Sequence, residues 1–211
     1  MIDLYTWTTP NGRKIAIMLE ETGLEYTVHP IHIGQGEQHG EEFLKISPNN
    51  KIPAIVDHDT NMQMMESGAI LMYLAEKTGQ FIPKEEKARW ATIEWLMFQM
   101  GGVGPFMGQV HHFTKYNSGI SPYAEERYLN EAKRLYGVMD KRLSDIEWLN
   151  GHSYSIADMA VWPWTARHDW QTVNLNDYPN VAQWYIRMCE RPAVQKGWNI
   201  PPTEQQIPMP A

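Results

Sequence analysis

The chain has 211 residues, 43% of them hydrophobic and 20% charged, a balance suited to one or two folded domains with real cores. A formal net charge of −7 argues against nucleic acid or an anionic membrane as the main partner. The single cysteine, Cys189, excludes an intrachain disulfide framework and fits a reducing compartment.

The first five residues, Met1-Ile2-Asp3-Leu4-Tyr5, lack the basic and apolar parts of a signal peptide. No apolar run approaches the roughly 20 residues that span a bilayer, so a cytoplasmic protein is expected. Ile2–Thr6 reads as a short strand. Pro10-Asn11-Gly12 opens a helix with Ile15, Met18, Leu19 and Thr22 along one face, and Gly23 ends it. Residues 25–33 read as a second strand, which completes a βαβ unit. A loop at Gly34-Gln35-Gly36 leads to a short helix over 41–46. A hairpin is predicted from strands 54–57 and 62–65, and a closing helix from residues 67–78.

Gly79-Gln80-Phe81-Ile82-Pro83 reads as a linker, after which helical periodicity replaces strand signals. One helix is predicted over 84–100, kinked or broken at Gly101-Gly102-Val103-Gly104-Pro105. A long amphipathic helix over 123–146 turns Tyr128, Ala132, Leu135, Met139 and Leu143 inward. Further helices are predicted over 155–167 and 179–190. The last eleven residues, with four prolines, read as an extended or disordered tail. The predicted domains are therefore 1–80, 86–200 and the tail 201–211. The fold class is α/β plus all-α.

The most informative stretch is Asn49-Asn50-Lys51-Ile52-Pro53-Ala54-Ile55, followed by Glu66-Ser67-Gly68. Pro53 donates no ladder hydrogen bond, and a cis peptide before proline costs only about 0.5–1 kcal/mol over trans. A cis Ile52–Pro53 step would leave the main chain of Ile52 facing outward, able to pair with an extended peptide. Glu66-Ser67-Gly68 reads as a helix start, whose unpaired N–H groups attract a carboxylate. Together they describe a site for a small acidic peptide.

That combination resembles the glutathione site of the glutathione S-transferase family, and the order βαβ-α-ββα resembles the thioredoxin fold. The resemblance runs from residue 1 to about 195. Thr9-Pro10-Asn11-Gly12 and Ser47-Pro48-Asn49-Asn50-Lys51-Ile52-Pro53 look like the bacterial nu-class members, glutathione-dependent disulfide-bond reductases related to the fungal nitrogen-regulator transferases. His111-His112-Phe113 and Pro122-Tyr123-Ala124-Glu125-Glu126-Arg127-Tyr128 are similar to that group too.

Thr9 precedes Pro10, so it belongs at the N-cap of the first helix, with Asn11 in the first turn. From the residues alone, Thr9 and Asn11 read either as a cap and a solvated first-turn residue or as donors to a ligand sulfur. The resemblance implies that Thr9 and Asn11 contact the sulfur of glutathione, where a hydroxyl beside a helix N-terminus favours thiolate. It also implies that Glu66 pairs with the γ-glutamyl ammonium and Ser67 holds the α-carboxylate. Ile52 and Pro53 would take the peptide main chain, Gln38 and Lys51 the glycyl end, and Arg127 a glutathione carboxylate. Tyr5 and Thr8 are rival sulfur contacts, and Tyr5, mid-strand, reads as a packing residue.

Other features read as structural. Adjacent His111 and His112 point to different helix faces and have no evident partner for a metal, so no metal is expected. Ser155-Ile156-Ala157-Asp158 has the spacing of a capping box. Trp90, Trp95, Trp162, Trp164 and Trp184 fall at core spacings, and Cys189 reads as a small apolar residue.

The function implied is reduction of small or mixed disulfides by bound glutathione without a protein cysteine. One alternative is conjugation of glutathione to apolar electrophiles against a wall of Phe106, Met107 and Phe113. Another is a non-catalytic regulatory binder, whose mark would be a damaged Glu66-Ser67 pair or a missing Asn11. A homodimer is implied by the resemblance.

Overall fold

The computed structural model describes residues 1–210. In chain order the elements of the first part are β1 (Ile2–Thr6), α1 (Pro10–Thr22), β2 (Tyr26–Pro30), α2 (Glu41–Ile46), β3 (Ala54–Asp57), β4 (Met62–Met65) and α3 (Ser67–Thr78). They are followed by α4 (Glu86–Phe98), α5 (Gly104–Val110), α6 (Pro122–Arg142), α7 (Ile156–Thr165), α8 (Pro179–Cys189) and α9 (Pro192–Trp198). The chain forms two compact units. Met1–Ile82 with Glu190–Gln206 makes the first, and Pro83–Cys189 with residues 207–210 makes the second.

In the first unit the sheet runs β2-β1-β3-β4, with β1 parallel to β2 and antiparallel to β3, and β3 antiparallel to β4. This is the thioredoxin-like arrangement expected. Alternation along β1 buries Ile2, Leu4 and Thr6 and leaves Asp3 and Tyr5 half-buried on the other face. The strand β2 stops at Pro30, earlier than expected. Short 3₁₀ turns at Ile33–Gln35 and Glu37–His39 take up the following residues. Proline cannot continue the donor pattern of a ladder, which accounts for the stop.

The C-terminal segment is the main departure from the sequence boundaries. The sequence reading places residues up to 200 with the helical half, yet α9 packs on α1 of the first unit. The Arg13 guanidinium stacks 3.3 Å over the Trp198 ring, and its Nε donates to the Trp198 carbonyl at 3.1 Å. Arg13 Nη2 donates to Gln205 Oε1 at 2.9 Å, and Trp198 Nε1 donates to the Gln205 carbonyl at 2.6 Å. Arg191 forms a two-pronged pair with Glu21, at 2.6 and 2.9 Å. Gly197 sits so close to α1 that a Cβ there would lie 2.7 Å from both the N and Cα of Ile17.

In the second unit the expected break at Gly101–Pro105 does not occur. Helical backbone runs from α4 through π-helical turns at Gln99–Val103 and His111–Tyr116 on either side of α5. The wider π turn shifts the hydrogen-bond register where Pro105 supplies no N–H, so the glycines and proline are accommodated without interrupting the helical backbone. The long helix α6 ends at Arg142, short of the predicted 146, and buries Ala132, Leu135, Tyr136 and Met139.

Trp162, Trp164 and Trp184 are buried as expected, but Trp90 is 61% exposed. The buried positions of α4 are Ala88, Thr92 and Leu96, and a residue two beyond Ala88 falls on the opposite face. His111 is buried and its ring accepts from Gln171 Nε2 at 3.2 Å, while His112 is exposed. The capping box of α7 is present. Asp158 accepts from the N–H of Ser155 and of Leu149, each at 3.1 Å, and from Trp184 Nε1 at 3.0 Å. Burial pushes its pKa up to about 6, and these donors oppose the rise, so it is ionised at neutral pH.

Two substitutions test these contacts. Gly197→Ala forces a methyl against main chain that cannot yield, and it should cost about 1–3 kcal/mol in urea or thermal unfolding. Asp158→Asn turns an amide NH₂ towards donors, and it should cost about 2–4 kcal/mol by the same measurement. Unchanged stability in either variant would contradict the packing described.

Candidate functional site

Beyond β1 the chain turns through Trp7 and Thr8 to Thr9, which is extended (φ −109°, ψ 161°) as the residue before a proline should be. Thr9 caps α1: Gly12 N–H donates to its Oγ1 at 3.2 Å, and Arg13 N–H donates to its carbonyl at 3.0 Å. The hydroxyl oxygen thus serves the helix as an acceptor, and the hydroxyl proton remains available to a further partner. Capping and donation to a ligand are compatible uses of one side chain. A Cβ at residue 12 would lie 2.3 Å from the Trp7 carbonyl oxygen, so glycine is what lets α1 start this close to the end of β1.

A second wall comes from the loop before β3. Ser47 Oγ donates to the Lys51 carbonyl at 2.8 Å, and Asn50 N–H donates to the Ser47 carbonyl at 3.0 Å. Asn50 takes a positive φ of 54°, a conformation asparagine tolerates better than most residues. The loop delivers the Ile52–Pro53 peptide, which is cis.

The third wall is the start of α3. Glu66 has φ 69° and ψ 109°, outside both helix and strand regions. A non-glycine residue held there costs roughly 1–3 kcal/mol, and such residues cluster at ligand clamps. Its side chain makes no cap to its own helix, so the carboxylate is directed elsewhere. Ser67 begins the helix, with the N–H groups of the first turn and the positive end of the helix dipole.

These walls enclose a narrow cleft of about 50 Å³ lined by Asn11, Lys51, Ile52, Pro53, Glu66 and Ser67, together with Ser47, Asn49 and Met65. Six of the residues singled out in the sequence therefore meet there. Thr9 does not line the cleft itself but caps the turn from which Asn11 enters it. Gln38 lies on the turn Glu37–His39, its amide nitrogen 3.3 Å from the His39 ring, and is not among the lining residues. Arg127 belongs to α6 in the second unit, in a larger cleft of about 600 Å³ with Phe106, Tyr123, Tyr128 and Arg134. Arg134 there is already paired with Glu131 at 2.8 Å. Size alone does not select between the clefts. The smaller brings together the Ile52–Pro53 peptide, the Glu66 carboxylate and the start of α3.

Ser47, Asn49 and Met65 were not singled out from the sequence. The Ser-Pro-Asn-Asn turn was a signal for the first two, whereas Met65 lies here only because it ends β4 beside Glu66. Tyr5, the rival sulfur contact, stacks on His29 with ring centroids 4.7 Å apart. Burial and the Asp3 carboxylate raise its pKa, which makes it a poorer proton donor. It is half-buried on the outer face of β1 rather than in the core.

The glutathione S-transferase N-terminal domain description matches residues 1–76, and the glutathione S-transferase C-terminal domain description matches residues 106–192. The disulfide-bond oxidoreductase YfcG of Escherichia coli (strain K12) is 51% identical over 198 residues, which span 92% of this chain and 92% of that protein. YghU of the same organism, also a disulfide-bond oxidoreductase, is 42% identical over 212 residues, 93% of this chain and 73% of that protein. A solved glutathione transferase from Pseudomonas putida, with one glutathione disulfide bound per subunit, superposes with a TM-score of 0.89. It is 42% identical, and the match covers 95% of this chain and 91% of that one. Another from Pseudomonas fluorescens, with two glutathione bound, gives a TM-score of 0.88 at 46% identity, covering 93% and 92%.

The cap geometry makes its own prediction. Thr9→Ser keeps a hydroxyl acceptor for Gly12 N–H and should leave stability nearly unchanged, whereas Thr9→Val should cost about 1 kcal/mol in equilibrium unfolding. Equal stability of the two variants would mean that the 3.2 Å cap contributes nothing.

Proposed function

Because the chain belongs to the glutathione S-transferase family, we propose that it is a glutathione-dependent disulfide-bond reductase. In this reading the cleft of the first unit holds glutathione by its two ends and its sulfur does the chemistry. The observation that carries the proposal is the composition of the cleft. It offers a peptide edge at Ile52–Pro53, an anion site at Ser67 and a carboxylate at Glu66, and it is lined by no cysteine. The one cysteine of the chain, Cys189, is 7% exposed in α8 of the second unit. The sulfurs exchanged then all belong to ligands.

The assignments follow the chemistry of each wall. The Ser67 N–H and hydroxyl take the γ-glutamyl α-carboxylate, and Glu66 takes the ammonium as a charge-assisted pair. The main chain of Ile52 pairs with the cysteinyl residue, and Lys51 and Gln38 serve the glycyl end. Arg127 is proposed for a further glutathione carboxylate. Thr9 donates its free hydroxyl proton to the sulfur at the positive end of α1, with Asn11 as a second donor. Each unit by which the thiol pKa falls corresponds to about 1.4 kcal/mol in favour of thiolate.

The reaction balances as two exchanges. A bound glutathione thiolate attacks one sulfur of the substrate disulfide. A glutathione–substrate disulfide forms, and the other substrate sulfur leaves as thiolate and takes up a proton. A second glutathione thiolate attacks the glutathione sulfur of that mixed disulfide, giving glutathione disulfide and releasing the second substrate thiol. Two electrons pass from two glutathione molecules to one disulfide. The rate follows the thiolate fraction and the leaving-group pKa, both of which donors at Thr9 and Asn11 favour. Support from relatives lies in the oxidoreductase names of YfcG and YghU and in neighbours holding glutathione disulfide or two glutathiones. We further propose a homodimer, as family membership implies, acting in the cytoplasm, where glutathione is kept reduced.

The test is glutathione-dependent reduction of 2-hydroxyethyl disulfide. Cys189→Ala should retain the wild-type rate, and Thr9→Val should lose about ten- to a hundredfold, the range expected for a hydrogen bond to a charged group. Loss of activity in Cys189→Ala would refute exchange confined to ligand sulfurs. A wild-type enzyme that turns over chlorodinitrobenzene much faster than the disulfide would favour conjugation instead.

A further inference from the structure

One buried cation of the first unit has no place in the assignments above. Lys14 lies on α1 three residues beyond Asn11, on the same side of the helix, and is 1% exposed. Among the described residues it is the one lysine that the fold buries. Burying an ammonium costs several kcal/mol unless anions or acceptors surround it, so its placement calls for a reason. Its Nζ donates to Ser67 Oγ at 3.2 Å, in the first turn of α3.

A serine hydroxyl has one proton and two acceptor lone pairs. With one lone pair taken by the lysine N–H, the serine proton is turned away from Lys14 and towards another acceptor. We infer that Lys14 is a positioning residue for the anionic end of the ligand, acting through Ser67 to aim its hydroxyl proton at a carboxylate and supplying the counter-charge beneath it. The inference deepens the functional proposal and rests on its placing of the γ-glutamyl α-carboxylate at Ser67. It makes the site selective for that carboxylate rather than for the thiol or the glycyl end.

The local electrostatics agree. Burial holds the pKa of Lys14 well below the usual lysine value, and the Glu66 carboxylate pulls it back up. A ligand carboxylate accepted by Ser67 acts in the same direction as Glu66. Protonated lysine and bound carboxylate therefore favour each other, reciprocally. For a chain of net charge −7 that takes an anionic peptide, a cation fixed beneath the anion site offsets the repulsion locally.

The test compares two probes by calorimetry on the full-length protein: S-methylglutathione, and the same compound lacking only its γ-glutamyl α-carboxylate. The wild type should bind the first more tightly. Failure to bind it, or failure to discriminate, would refute the functional placement itself. In Lys14→Met the affinity for S-methylglutathione should fall about ten- to a hundredfold while that for the decarboxylated analogue stays the same. Equal losses for both probes, or none, would overturn the role of Lys14 and leave the placement of glutathione standing. Should Lys14→Met fail to fold, the wild type decides through the lysine ¹³Cε resonance of Lys14. That signal should shift on addition of S-methylglutathione and stay still with the analogue. No shift, or the same shift with both, would overturn the inference.

Discussion

Helices α1 and α3 lie side by side with their first turns at one cleft, and the 3.2 Å hydrogen bond from Lys14 to Ser67 runs between them. The roles proposed for Thr9, Asn11, Glu66 and Ser67 depend on that adjacency. The start of α1 brings the capped Thr9 and the cleft-lining Asn11, and the start of α3 brings Glu66 and Ser67. The sheet sets the distance between them, since α1 follows the inner strand β1 and α3 follows the edge strand β4. Gly12 seats α1 against the end of β1, and α9 packs on α1 through Gly197, Arg13 and Trp198. The site is thus assembled from two helix N-termini, which supply partial positive charge and open N–H groups, held by packing that tolerates no extra methyl.

Much of this fold was legible in the sequence because its signals are local. Pro10 and Gly23 bracket α1, alternation marks β1, and the spacing of Ser155 and Asp158 announces the cap of α7. What was not legible depends on long-range contacts or on the competition between two local signals. The glycines and proline at 101–105 read as a kink or break, but the chain stays helical there through a π turn. Trp90 reads as core from its spacing, yet its phase on α4 opposes Ala88, Thr92 and Leu96. The attachment of α9 to α1 joins residues about 180 positions apart, with Arg13 to Trp198 as its centre, and no periodicity within either segment reveals it.

The site divides in the same way. Asn11, Lys51, Ile52, Pro53, Glu66 and Ser67 were found because proline before a strand and a polar helix start carry recognisable backbone chemistry, and the resemblance supplied their roles. Lys14 escaped notice for a physical reason. Within α1 it reads as one more polar residue of an amphipathic helix, and only the packing of α3 buries it beside Ser67. The positive φ of Glu66 likewise has no signature in a glutamate. Its strain is the kind of local cost that a surrounding fold holds in place where a side chain must be aimed.

The chemistry proposed is modest in parts and demanding in placement: donors fixed about a ligand sulfur, and a helix start that holds the rest of the peptide still. The most direct measurement is a crystal structure of the protein grown with glutathione disulfide. The account predicts a γ-glutamyl carboxylate on the N–H and hydroxyl of Ser67, with one ligand sulfur within hydrogen-bonding distance of the Thr9 hydroxyl. A peptide lying elsewhere, or a sulfur covalently joined to Cys189, would contradict it.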